Sequence, residues 1–249
     1  MASPGPAPTG RWLPLESNPD MLNAFARRLG APAGWTFGDI YGTDPDLLAF
    51  VPRPVVAVVL LFPMTAAIAK AKAEQADEVQ AKGQPHLPAQ GTGGAPFYLT
   101  QHDGLGNACG TIAAVHALAN ARAAGLAPTE GSALATFLAE ADPLSADDRG
   151  WALTRATAVH DASESEASGA NAQTACPDRD DKVDHHFIAF VHCAGRLVEC
   201  DGRKAGPIDH GPTTPDTLLE DACAAIKANF MEKDPDNMGF NMMALSRTD

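Results

Sequence analysis

Residues 106–120 read GNACGTIAAVHALAN, and the cysteine in this stretch is the first group along the chain placed to do covalent chemistry. Ile112, Val115 and Leu118 recur at helical spacing among alanines, which predicts a buried helix running from Cys109 towards Gly125. Cys109 then falls in the first turn, where unpaired N–H groups and the positive end of the helix dipole favour a thiolate over a thiol. On this reading Cys109 is a nucleophile. The alternative is a small buried hydrophobe, which is what most free cysteines are.

A nucleophilic cysteine needs a base, and the base needs a group to orient it. The richest supply of imidazole lies downstream, in the segment VDHHFIAFVHC at 183–193. Alternation along a strand puts His186, Ile188, Phe190 and His192 on one face and His185, Phe187, Ala189, Val191 and Cys193 on the other. A shared metal fails on this spacing, because His186 and His192 would stand ~20 Å apart at ~3.3 Å per residue, and His185 and His186 point apart. Neither a metal nor an organic cofactor is expected. The next strand ends in Glu199-Cys200-Asp201-Gly202-Arg203. If the two strands form a hairpin about Ala194-Gly195, Asp201 lies within a residue or so of His186 across the ladder, where neighbouring Cβ atoms sit ~5 Å apart. That suits a carboxylate holding an imidazole N–H. The alternative for this pair is an Asp-Gly-Arg turn beside a surface histidine.

The elements that must hold these groups are legible in part. Ser17-Asn18-Pro19 offers a cap and a first-turn proline for a short surface helix, with Leu22, Phe25, Ala26 and Leu29 on one face and Gly30 as its stop. Residues 55–62, VVAVVLLF, are apolar throughout and lie between Pro54 and Pro63, which predicts a central strand covered on both faces by helices. Residues 67–82 read as a helix and 83–96, rich in glycine and proline, as a loop. A further helix follows Ser132 and ends at Asp142-Pro143. From 143 to 181 the periodicity fails, and the segment is expected to be a long loop, functional or disordered. Thr214 and Pro215 are expected to open the last helix, with Leu218, Leu219, Ala222, Ile226 and Phe230 inward, and Phe240–Leu245 forms a closing strand.

At 249 residues and 45% hydrophobic content, the chain can bury one sizeable core, so one domain is expected, preceded by a Pro/Gly/Ser/Ala-rich, disordered leader over 1–10. The leader lacks the basic and apolar regions of a signal peptide, and there is no apolar run of ~18 residues. With five cysteines at irregular spacing, reduced thiols in the cytoplasm, with the nucleus as a second compartment, are expected. The net charge of −13, from 31 acidic against 18 basic residues, argues against nucleic acid and anionic membranes as partners. It suits a basic polypeptide, or simple solubility.

Several separate blocks now fall into one pattern. They are Arg11-Trp12-Leu13-Pro14-Leu15-Glu16, Asp39-Ile40-Tyr41-Gly42, Val51-Pro52-Arg53-Pro54, Asn107 through Ile112, Val183 through Phe190, Glu199 through Arg203 and Asn237 through Leu245. In this order they resemble the ubiquitin carboxyl-terminal hydrolases, papain-like thiol proteases of the deubiquitinating type, over residues 11–247. The resemblance implies an α/β (α+β) fold, a six-stranded antiparallel sheet flanked by helices on both faces, with a knotted backbone. It implies Cys109 as nucleophile, His186 as general base and then acid, Asp201 as its orienting residue, and a monomer acting on ubiquitin or a ubiquitin-like modifier. It also places a crossover loop, under which the ubiquitin tail threads, near 150–170.

One position departs from the family pattern. A glutamine six residues before the nucleophile completes the oxyanion hole in the family, and here that position is Asp103, with Gln101 two residues earlier. An ionised aspartate has only acceptors, so either Gln101 is the oxyanion donor, reaching the site through a glycine-rich stretch that absorbs a bulge, or the Cys109 N–H alone serves the oxyanion; Gln101 is the favoured choice. The departure motivates a second reading, a ubiquitin-binding protein with impaired catalysis. A third is a Cys-His-Asp acyltransferase acting on small thioesters.

Overall fold

The computed structural model describes residues 9–89, 94–169 and 172–248. Of the expected leader, residues 1–8 lie outside the described residues, as do 90–93 of the expected glycine- and proline-rich loop. Thr9 already belongs to the fold: its N–H donates to the Thr154 carbonyl at 2.7 Å, and its hydroxyl accepts from the Trp12 indole at 2.9 Å.

The centre is a six-stranded antiparallel sheet in the order β1-β6-β2-β3-β4-β5. Its strands are β1 (Trp35–Asp39), β2 (Val55–Pro63), β3 (His185–Cys193), β4 (Arg196–Cys200), β5 (Ile208–Pro212) and β6 (Asn241–Arg247). β2 is paired on both edges, by β3 and by β6, as a strand apolar at every position requires. Two layers of helix cover the sheet. On one face, Phe187, Ala189, Val191, Ala57 and Val59 pack against α1 (Pro19–Leu29), α4 (Cys109–Asn120), α5 (Ala133–Ala141), α6 (Ala146–Leu153) and α7 (Thr157–Ala167). On the other, Ile188, Phe190, Val58 and Leu60 pack against Ile68 of α3 (Ala66–Lys82) and against α8 (Leu218–Asn229). A short α2 (Pro45–Leu48) completes the set. The alternation read from residues 186–193 thus separates the two cores correctly.

α1 begins and ends where its punctuation says. The Asn18 side chain accepts from the Asp20 and Met21 N–H groups, and Gly30 takes a left-handed conformation at φ 96°. Its inward face, with Leu22, Phe25, Ala26 and Leu29, is buried as the spacing predicts, and Arg27 and Arg28 face out.

Three expectations are corrected. The stretch 143–181 is not one long loop, because α6 and α7 occupy most of its first two thirds. In α7 the buried positions are Val159, Ala162, Ser163, Glu166 and Ala167, a helical i, i+3, i+4, i+7 series carried by small and polar side chains. Ser163 bonds to Thr111 at 2.7 Å, and Glu166 pairs with Arg28. Consequently the irregular segment that crosses the site is 172–184, not 150–170. Third, α8 starts at Leu218, with Thr214 and Thr217 exchanging side-chain to backbone hydrogen bonds in the preceding turn. Pro215 therefore precedes the helix and does not open it.

Candidate active site

Cys109 is the first residue of α4, and Ala108 before it offers no capping side chain, in contrast to Asn18 before α1, Ser132 before α5 and Ser145 before α6. The first N–H groups of α4 are therefore left for whatever charge forms at the cysteine. Cys109 is 6% exposed. α4 lies across β3, and Gly110 lets it approach closely: a Cβ there would come within 3.1 Å of Leu15 and 3.3 Å of the Phe187 ring.

β4 ends at Cys200, opposite Ala189, whereas β3 continues back to His185 along β2. The first residues of β3 thus have an edge free of β4, and there Cys109, His186 and Asp201 meet. The carboxylate Oδ1 of Asp201 accepts from His186 Nε2 at 2.7 Å, with both side chains buried. This places the second ring nitrogen, Nδ1, towards the Cys109 thiol, and it meets no other side-chain or backbone partner. The Phe62 ring stands edge-on to the imidazole, with centroids 5.6 Å apart. The ladder ends at Ala189 opposite Cys200, so Asp201 and His186 both lie beyond the paired residues and meet there without being register partners. It closes because the chain leaves the ladder at Asp201, where the Tyr98 hydroxyl bridges the Asp201 and Lys204 carbonyls at 2.5 and 2.6 Å. The Arg203 N–H adds a 3.0 Å bond to Oδ1.

The electrostatics follow from these contacts. Burial opposes ionisation of Cys109, but the hydrogen bond and charge of His186, the Phe187 N–H and the Arg203 charge outweigh it and bring the thiol below the ordinary cysteine value. Burial likewise opposes protonation of His186, yet Asp201 and Cys109 together raise it above the ordinary imidazole value. Asp201 is buried, which favours its neutral form, but the His186 charge and hydrogen bond hold it ionised. The three groups are matched to a thiolate–imidazolium pair oriented by a carboxylate.

Gln101 and Asp103 part company. The Gln101 backbone N–H donates to the Gly202 carbonyl at 2.7 Å, and its side-chain Nε2 donates to the Gly106 carbonyl at 3.0 Å. Gln101 is thereby folded between the Asp201-Gly202 turn and the approach to Cys109. Asp103 lies two residues on, in a 3-10 turn, exposed. The sequence reading missed the Phe187 N–H, and no residue pattern signals it, because it comes from backbone left unpaired where β4 stops.

A cavity of about 250 Å³ opens beside Cys109, bounded by Leu15, Glu16, Leu61, Asn107, His185 and Phe187. The segment 172–184 covers it. That strap is pinned at several points: Gln173 N–H and Thr174 hydroxyl donate to Glu16 at 2.8 and 2.7 Å, Arg179 donates to the Arg11 carbonyl at 2.8 Å, and Asn107 donates to the Asp181 carbonyl at 3.1 Å.

A cysteine at a helix start, a histidine on the adjoining strand and an aspartate one residue past the end of the next make the Cys-His-Asp triad of a thiol hydrolase. The family profile described as ubiquitin carboxyl-terminal hydrolase, family 1, matches residues 12–232. A ubiquitin carboxyl-terminal hydrolase of Aplysia californica is 41% identical over 230 residues, covering 91% of this chain and 97% of that one. The Drosophila melanogaster enzyme of the same name is 37% identical, covering 94% and 97%. Among solved structures, the Trichinella spiralis UCH37 catalytic domain bound to ubiquitin vinyl methyl ester superposes with a TM-score of 0.72 at 20% identity, covering 96% of this chain and 97% of that one. The last likeness concerns the fold. The chain belongs to the ubiquitin carboxyl-terminal hydrolase family of cysteine peptidases.

Proposed function

We propose that this protein is a deubiquitinating thiol hydrolase, which removes small adducts or short peptides from the C-terminal glycine of ubiquitin, or of a ubiquitin-like modifier, and acts as a monomer in the cytoplasm or nucleus. The observation that carries the chemistry is the Cys109–His186–Asp201 arrangement, with the His186–Asp201 bond at 2.7 Å. The names of the relatives carry the substrate.

In this reading the modifier's tail lies in the cavity under the strap, and the Cys109 thiolate attacks the carbonyl of its last glycine. A tetrahedral oxyanion forms. The Cys109 N–H, free of any capping side chain, donates to it, and Gln101 supplies a second donor, since its amide has one N–H left beyond the bond to Gly106. The His186 imidazolium gives its Nδ1 proton to the departing amine, leaving a thioester on Cys109. It then takes a proton from water, whose attack returns the acid and the free thiolate. Asp201 holds the imidazole in the tautomer and orientation that both steps need.

The alternative of a binder with impaired chemistry rests on Asp103, and the packing of Gln101 between the Gly202 and Gly106 carbonyls, with an amide N–H to spare, speaks for the hydrolase. A ubiquitin fluorogenic amide tests the reading. Turnover by the wild type and its loss in Cys109→Ala, with ubiquitin binding retained, is the expected result. Turnover above background in Cys109→Ala, or binding without turnover in the wild type, overturns it.

A further inference from the structure

The Asp201-Gly202-Arg203 turn borders the catalytic groups through the Asp201 carboxylate, which accepts from His186 at 2.7 Å and from the Arg203 N–H at 3.0 Å. A Cβ on Gly202 would sit 3.2 Å from both the Gln101 Cβ and Ile112 Cγ2, so the turn lies against Gln101 and the first turn of α4. Among the described residues, neither Gln101 nor any residue of this turn lines the covered cavity. Arg203, the third residue of the turn, is exposed, and its backbone is fixed by the bond to Asp201. Its guanidinium makes no hydrogen bond or ion pair among the described residues. The neighbouring Lys204 is committed, donating to the Lys72 carbonyl at 3.0 Å. Asp103, exposed on the adjacent 3-10 turn, is not paired with Arg203.

We infer that Arg203 forms an anion subsite on the leaving-group side of Cys109, which favours adducts bearing a carboxylate on the first residue beyond the scissile bond. This rests on the functional reading above and names the class of leaving group that reading leaves open. In the functional reading above the acyl half of the substrate fills the covered cavity, so the amine half departs outside it, and the Arg203 turn borders the catalytic groups without lining that cavity. A single amino acid joined through its amine carries its α-carboxylate one carbon from the departing nitrogen. A guanidinium fork matches a carboxylate in two parallel hydrogen bonds. The reach of the Arg203 charge to Cys109 supports the same placement.

The test uses ubiquitin extended at its C-terminal glycine by one alanine, ending either as the carboxylate or as the carboxamide, with kcat/KM followed by mass spectrometry. The readout is the ratio between the two substrates, which cancels any change in the reactivity of Cys109 itself. The wild type is expected to favour the carboxylate about three- to tenfold, the range for a charge-assisted contact at an exposed site. Arg203→Gln should bring the ratio to about one, Arg203→Lys should keep part of it, and 1 M salt should erode the wild-type preference. A wild type without preference, or a preference unchanged in Arg203→Gln, overturns the subsite while leaving the hydrolase standing. Failure of the wild type to cleave either substrate overturns the functional reading, and the subsite with it.

Discussion

Removal of the Gln101 side chain is the sharpest probe of the oxyanion site, because two residues compete for it and the structure separates them. In Gln101→Ala the backbone bond to Gly202 remains, and the lost contact is the 3.0 Å bond to the Gly106 carbonyl. One such bond at a part-exposed site contributes about 1 kcal/mol, so the variant should fold. Loss of a single oxyanion donor, by contrast, costs about 10²–10³ in kcat, or about 2.7–4 kcal/mol of transition-state stabilisation. The oxyanion exists only after attack, so KM should change little. Asp103 is exposed, and Asp103→Ala should stay within about twofold of wild type, as surface substitutions without buried partners do. Steady-state kinetics on a ubiquitin fluorogenic amide, with thermal melts to confirm folding, measure all of this. If Gln101→Ala is within about threefold of wild type while Asp103→Gln raises kcat, then Gln101 is not the donor and the hole is incomplete in the native protein.

Activity should form a plateau in pH bounded by two ionisations. The acid limb, where Cys109 gains its proton, should lie below the ordinary thiol range, and the alkaline limb, where His186 loses its proton, should lie near pH 9. Asp201→Asn removes the charge that raises His186, so the alkaline limb should move down towards the unperturbed imidazole value of about 6.5; an unmoved limb would contradict the assigned pair. Behind the site, fully buried Glu199 is held by Lys72 and, at 2.7 Å, by His210. Lys72→Met leaves that carboxylate short of a partner, which costs about 3–5 kcal/mol. The melting temperature should fall by about 6–20 °C, and a fall under about 2 °C would show that the pair contributes little. Finally, the strap should limit leaving groups to small ones. Lengthening it with flexible residues at the exposed tip 178–181 ought to admit di-ubiquitin, and unchanged rejection would remove the strap as the gate.

What could be read in advance was set by distance along the chain. The Cys109 helix, the β2 strand and the β3–β4 hairpin announce themselves within windows of about ten residues, through periodicity and turn chemistry. The nucleophile, base and orienting residue ride on those elements. α7 was hidden because its inward face uses alanine, serine and a glutamate neutralised by Arg28, so its helical period carries almost no hydrophobic signal. β1 and β5 escaped because each is five residues long and only partly buried, with its identity given by its neighbour in the sheet. The same principle explains the site. Asp201 was expected within a residue or so of His186 across the ladder, and the two meet just beyond the paired residues because β4 ends one residue before Asp201. That early ending is also what frees the Phe187 N–H for the thiolate and seats Gln101 against Gly202. The pairing that holds a catalytic triad together is thus local enough to foresee. The break in pairing that makes room for the substrate's charge depends on contacts between residues about a hundred positions apart, Tyr98 with Asp201 and Gln101 with Gly202, which no window along the chain contains.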